Sequence, residues 1–345
     1  MQVTQIASCR SYESWLSYDL IFEWENILAQ HLAIPIVDID LPKRTSIFSR
    51  FRYHRYGRKL NSLLQKPPLK IFYKSFSHLQ RSPSQYSLIF DLSVQYSQSR
   101  ADKHSIIPII IDFWKNTSLE DFYTYYRNCR VVLISSLEVY NYLLQVGCSL
   151  PIAHYPLSLP DYYRFSDTTL YQKQYDIILA GRTNDVLLGY IELYSVKYPH
   201  VEILSRVSIE EEFYYTSNVR GLIGKVHTRT EYIALLQASK IALYSTPGMD
   251  DGEARSGGFN PVTPRYLEML SAQCLLLGRY PNNEETAFYE VASVCPHINS
   301  YKEFEQKINE YLQLATAPLA TYKAILEKHY TSCRANQLQA ILNRY

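Results

Sequence analysis

Residues 241–277 read Ile241-Ala-Leu-Tyr-Ser-Thr-Pro-Gly-Met-Asp-Asp-Gly-Glu-Ala-Arg-Ser-Gly-Gly-Phe-Asn-Pro-Val-Thr-Pro-Arg-Tyr-Leu-Glu-Met-Leu-Ser-Ala-Gln-Cys-Leu-Leu-Leu277. Ile241 to Tyr244 and Cys274 to Leu277 are short, continuous apolar runs, the pattern of strands buried on both faces. Between them a polar, glycine-containing loop, Ser245 to Gly258, leads to a helical segment expected over 264–272. Thr263 suits the N-cap of that helix and Pro264 its first position. A loop entering a helix in this way leaves backbone amides unpaired at the helix start, where a phosphate group is stabilised. Arg265, in the first turn, would add a charge-assisted bond to a diphosphate. Glu268, one turn further on the same face, would accept the two hydroxyl hydrogens of a ribose. The same spacing also suits a simple ion pair between Arg265 and Glu268, and spacing alone leaves both readings open.

Working outward, the strand–helix alternation continues on both sides. Downstream lie helical segments at Tyr301 to Leu314 and from Leu319 to about Arg344. Upstream lie strand-like runs at Tyr175 to Ala180 (ending in Gly181), Val201 to Leu204 and Gly221 to Gly224, with a helix over Thr230 to Ser239. A break rich in proline and polar residues, Leu157 to Tyr171, reads as a linker. Before it the alternation is repeated. A helix patterned on Trp15, Leu20, Trp24, Ile27 and Leu28 precedes strands at 35–39, 87–90, 106–111 and 131–134, with helices over 119–127 and 136–145. The expected architecture is α/β: two doubly wound, Rossmann-like domains facing each other across a cleft. The expected boundaries are 1–165, 172–318 and a closing helix over 319–345 that packs back on the first domain.

The chain of 345 residues is 47% hydrophobic and 20% charged, which excludes a disordered chain and leaves room for about two domains. No apolar stretch approaches the roughly 18 residues of a membrane-spanning helix. The N-terminal residues lack the basic and apolar regions of a secretory signal, so a cytoplasmic location is expected. The six cysteines are scattered, without the paired spacing of a zinc site or disulfide framework. No Walker loop, Gly-x-Gly-x-x-Gly, His-Glu-x-x-His or Gly-x-Ser-x-Gly motif is present. The net charge of +2 hides a separation: between Leu41 and Phe90 stand 11 basic residues and no acidic one.

Pro264-Arg-Tyr-Leu-Glu-Met-Leu-Ser-Ala-Gln-Cys-Leu-Leu-Leu-Gly278, followed by Asn282-Asn-Glu-Glu285, resembles the donor-binding segment of GT-B glycosyltransferases. The particular resemblance is to the group 1 class that includes CgeB-like proteins. It extends back through Glu231 to Leu243 and forward through Ser300 to Leu312, and Ala180-Gly-Arg-Thr-Asn184 is similar to that class's first nucleotide-binding loop. The resemblance implies a GT-B fold and a nucleotide-diphosphate sugar as substrate, with no further cofactor and no metal. Glu268 would hold the ribose, Arg265 and Arg182 the diphosphate, and Thr246 and Gly248 would border the donor. Many retaining relatives carry a further glutamate where this chain has Asn260, so the resemblance leaves the stereochemical course open.

Transfer from such a donor needs stabilisation of a departing diphosphate and, for inversion, a base near the acceptor hydroxyl. Asp112, closing the apolar run 106–111, stands at the carboxyl end of a strand, where open α/β sheets gather ligands. It is the first candidate base, ahead of His104, Glu13 and Asp91, and helix capping or a contact with Lys115 is its structural alternative. The basic segment, with Arg50, Arg52, Arg55, Arg58 and Lys59 among aromatic residues, suits an acceptor-side contact with an anionic membrane surface. The resulting expectation is a peripheral, cytoplasmic enzyme that passes a sugar to a lipid-linked or saccharide acceptor in cell-surface polysaccharide or glycolipid assembly. Two other classes fit parts of the sequence. One is a catalytically inactive GT-B-like scaffold that binds a nucleotide sugar; the other, less favoured, is a nucleic-acid-binding protein acting through residues 43–74.

Overall fold

The structure, a computed structural model, describes residues 1–11, 13, 16–38, 85–94, 105–114, 116–165, 168–181, 184–209, 212–252 and 254–345. They build two six-stranded sheets. The first contains β1 (Gln2–Ser8), β2 (Ile36–Asp38), β3 (Gln85–Ser93), β4 (Ile106–Asp112), β5 (Val132–Ile134) and β6 (Ile152–His154). Its order is β2-β1-β3-β4-β5-β6 and every pairing is parallel. Helices α1 (Leu16–Leu32), α2 (Leu119–Tyr126) and α3 (Leu137–Gln145) belong to this half.

The apolar runs are explained by two-sided burial. Alternate residues of the central strands enter opposite cores: Leu88, Phe90, Ile107 and Ile109 pack with Trp24 and Leu28 of α1. Ile89, Ile106 and Ile110 pack with Phe122 of α2 and Leu143 of α3. Neither face of such a strand meets water, so its sequence shows no polar alternation.

The second sheet, ordered β10-β9-β8-β7-β11-β12, comprises β7 (Tyr175–Leu179), β8 (Ile203–Ile209), β9 (Glu212–Ser217), β10 (Gly221–Lys225), β11 (Ser239–Ser245) and β12 (Leu275–Arg279). Around it run α4 (Asp185–Lys197), α5 (Arg229–Gln237), α6 (Pro264–Ser271), α7 (Glu284–Phe288), α8 (Tyr301–Gln313) and α9 (Leu319–Leu326), and the last helix is α10 (Thr331–Leu342). The strands β8, β7, β11 and β12 are parallel, but β8, β9 and β10 form an antiparallel meander. Here the sequence reading is corrected. The run Glu212-Phe-Tyr-Tyr-Thr-Ser217, rich in strand-forming aromatics, is a strand that had not been expected, and so is β1. Ser239 begins a strand instead of ending a helix, because Ala238 already caps α5.

The closing segment is also two helices rather than one. Pro318 precedes α9, whose Tyr322, Ile325 and Leu326 join the core of the second half. The chain then extends at Tyr330 to form a parallel bridge with Leu159, so the two strands crossing between the halves lie side by side. Leu159 donates to His329 O at 2.9 Å and accepts from Thr331 N at 3.0 Å. Only α10 returns to the first half, where Leu338, Ile341 and Leu342 pack beside α1. All six cysteines are free thiols.

Candidate functional site

The carboxyl end of β7 continues into Gly181, whose φ of +80° is readily accessible only to glycine. A Cβ placed there would lie 2.5 Å from Arg265 Cζ, so the guanidinium is laid directly over the Gly181 backbone. Arg265 is therefore aimed at the turn between the first strand and first helix of the second sheet. Among the described residues no carboxylate or carbonyl accepts from it. Tyr215, on β9, is buried near Gly181 and Arg265. Burial raises its pKa, against the pull of Arg206 and Arg265. The unexpected meander thus supplies one wall of the site.

Thr263 occupies the N-cap of α6 with extended backbone geometry, as its residue type suggests, yet its hydroxyl makes no capping bond. Thr263 Oγ1 is buried without a partner. Pro264 removes one N–H from the first turn, and the Arg265 amide remains at the helix start.

Glu268, 4% exposed, lies one turn into α6. It is not paired with Arg265. Its Oε1 instead accepts from Arg229 Nη2 at 2.7 Å, while Arg229 Nε reaches Glu23 of α1 at 2.7 Å. Burial opposes the charge on Arg229, but the Glu268 and Glu23 carboxylates outweigh it and keep the guanidinium firmly protonated. Arg229 had no motif to announce it. Its one signal was its place at the first position of a helix beginning Thr228-Arg-Thr-Glu231.

Thr246 and Gly248 are both engaged by their own loop. Thr246 Oγ1 donates to Asn260 Oδ1 at 2.7 Å. Gly248 packs so closely on the Phe259 carbonyl and the Ser256 hydroxyl that no side chain fits. The returning loop covers this side of Gly248. Asn184 caps α4 through Oδ1 and holds Asp250 through Nδ2 at 2.9 Å, and Arg279 clamps Asp250 from the other side.

The loop also crosses to the first half. Phe259 inserts into that core beside Phe113 and Leu143, and Asn260 N donates to Glu138 Oε2 at 2.6 Å. Glu285, 1% exposed, reaches across to accept from Ser136 Oγ, Leu137 N and Glu138 N at the start of α3. Burial pushes its carboxyl up to about 7 despite these donors.

Asp112 ends β4, half-buried and in register with Ser93. Asp91 accepts from Tyr126 at 2.7 Å inside the core. Arg182 and His104 lie outside the described residues, as do Arg50, Arg52, Arg55, Arg58 and Lys59 and most of the basic segment. Among the described residues no cluster of His, Cys, Asp or Glu is arranged to hold a metal ion, and no helix is long and apolar enough to cross a membrane. A cavity of about 510 Å³ beside β6, lined by Tyr140, His154, Gln337 and Arg344, shares no residue with this cleft.

No protein-family model matches the chain, and no curated protein sequence does. Solved structures do. Sucrose-phosphate synthase from Thermosynechococcus elongatus superposes with a TM-score of 0.51 at 10% identity, over 100% of this chain and 99% of that one. The pneumococcal O-GlcNAc transferase GtfA, solved with UDP and GlcNAc, gives a TM-score of 0.44 at 13% identity, with 80% of this chain and 59% of that one covered. The GtfA/B complex gives 0.45 at 12% identity, over 80% and 60%. The chain thus spans about 60% of the length of those two proteins. Two facing Rossmann-like halves, with the final helix crossing back over the first, make this a GT-B fold.

Proposed function

We propose that this chain is a glycosyltransferase that moves a sugar from a nucleoside-diphosphate donor to a hydroxyl acceptor. The observation that carries the reading is Arg265 lying over Gly181 beside the uncapped start of α6, with Glu268 one turn further along. In a doubly wound sheet this is the position of a diphosphate, and a carboxylate beyond it suits ribose hydroxyls. As the anomeric C–O bond to the diphosphate breaks, negative charge grows on the leaving oxygens. Arg265 and the helix dipole stabilise that charge by direct electrostatics, and Arg182 is a second candidate for the same role. The acceptor oxygen forms the new bond to the anomeric carbon, and its proton passes to a base of the first half, for which Asp112 is the candidate. The further particulars of this reading are a CgeB-like affinity, transfer without a metal, a lipid-linked or saccharide acceptor, and the basic segment resting on the cytoplasmic face of a membrane.

The test is a thermal-shift and calorimetric screen with UDP, GDP, CDP and dTDP and their sugars. One nucleotide should bind, and Arg265→Ala and Glu268→Ala should each abolish or strongly weaken that binding. Unchanged titrations in both variants would overturn the site. Turnover with a matched acceptor separates an enzyme from an inactive nucleotide-sugar-binding scaffold, a reading favoured by Asn260 standing where retaining relatives have a glutamate.

A further inference from the structure

Arg229 joins two carboxylates that belong to opposite halves of the molecule. Its Nη2 is 2.7 Å from Glu268 Oε1 and its Nε is 2.7 Å from Glu23 Oε2. Glu23 is held in turn by the Tyr163 hydroxyl, from the segment linking the halves. The Tyr163 ring lies 5.2 Å from the Arg229 guanidinium. One turn before Glu23 on α1, Asp19 faces Arg229: burial raises its pKa, and the Arg229 charge and backbone amide pull against that rise. The group is buried: the Arg229 side chain is 10% exposed and that of Glu268 5%. Glu268 Oε2 accepts from no group among the described residues, so one oxygen is tied and the other is open to a hydroxyl.

On the reading of Glu268 as the ribose ligand, we propose that Arg229 is a positioning residue that couples donor recognition to the contact between the two halves. Glu23 anchors one edge of the guanidinium, and the other edge fixes the orientation of Glu268. A planar fork with several donors can serve both carboxylates at once, which a lysine ammonium cannot do in the same geometry. If the halves separate, Arg229 loses Glu23, Glu268 loses its fixed partner, and the hydrogen bonds to the two ribose hydroxyls weaken. Discrimination for ribose is therefore set partly by Glu23, a residue of the acceptor half that does not touch the donor.

The experiment compares, by calorimetry, the tightest binder among UDP, GDP, CDP and ADP with its 2′,3′-dideoxy counterpart. The wild-type protein is expected to favour the ribonucleotide by about 10- to 100-fold, the scale of hydrogen bonds to a charged group. Glu23→Gln and Arg229→Lys should each reduce this ratio about fivefold or more, and Glu23→Asp should restore part of it. A merely unstable variant would lose both nucleotides alike and leave the ratio unchanged. A wild-type ratio in both Glu23→Gln and Arg229→Lys overturns the coupling while leaving the donor site intact. No preference for ribose in the wild-type protein overturns both the coupling and the role of Glu268.

Discussion

Two helices begin beside the cleft, α3 from the first half and α6 from the second, and their starts are treated in opposite ways. The α3 terminus is fully occupied: Ser136 caps Val139 N, and the Glu285 carboxylate from the other half takes Ser136 Oγ at 3.0 Å and two backbone amides at 2.5 and 3.1 Å. The α6 terminus begins two residues after Val262, whose amide takes the second oxygen of Glu285 at 3.2 Å. It has no side-chain cap, an unpartnered threonine hydroxyl, and an arginine turned toward the Gly181 turn. The positive end of α3 is used to hold the halves together. That of α6 is the terminus the proposed diphosphate would occupy.

If this contrast is right, the largest stability effect follows from emptying α3. Glu285→Ala leaves several buried donors unpaired and should cost about 3–5 kcal/mol in urea unfolding, on the scale of breaking a buried charged group away from its partners. Phe259→Ala, which removes the aromatic anchor from the first core, should cost about 3–4 kcal/mol. At α6 the expectation reverses. Arg265→Ala should leave the unfolding midpoint within about 0.5 kcal/mol yet weaken nucleotide binding about 10- to 100-fold in calorimetry.

The pH response sharpens the same contrast. The Glu285 carboxyl is raised from its ordinary 4.5 to about 7 by burial, so the folded state binds its proton more tightly than the unfolded chain. The stabilisation this gives is complete below about pH 4.5 and is lost as pH rises through 7. Burial raises Glu23 and Glu25 in the same direction. His154 and His329 are lowered by burial to about 4 and about 3, so their contribution is lost at the acid end instead. Because the histidines act in the opposite sense below about pH 6.5, the Glu285 contribution is read as a difference: in thermal unfolding followed from pH 5 to 8, the wild-type midpoint should fall relative to that of Glu285→Gln, whose side chain does not titrate. The smallest effect is reserved for Thr263→Val. Because the hydroxyl caps nothing, stability should move by less than the roughly 1 kcal/mol of a lost N-cap; a full loss would show that Thr263 is an ordinary cap.

Most elements were legible because burial on two faces writes itself into continuous apolar runs, as in Ile106 to Ile111 and Leu275 to Leu277. The start of α6 was legible for a local reason, since Thr263 and Pro264 carry the backbone preferences of an N-cap and first turn. The meander was missed because β9 carries neither a continuous aliphatic run nor a clean alternation, its strand signal resting on the aromatics Phe213, Tyr214 and Tyr215. Arg229 and Glu285 could not be ranked as site-forming, because their partners lie 206 and 149 positions away in the chain.

The sequence by itself determined two α/β halves, the strand–loop–helix–strand unit of 241–277 and the placing of Arg265 and Glu268 on one helix. These follow from local preferences and hydrophobic periodicity, which act over a few residues. Only the tertiary structure decided what each charge meets: Arg265 over Gly181, Glu268 on Arg229, Arg229 on Glu23 and Glu285 on the start of α3. A buried charge takes whichever opposite group or backbone dipole packing brings within hydrogen-bonding distance, and spacing along the chain does not contain that distance.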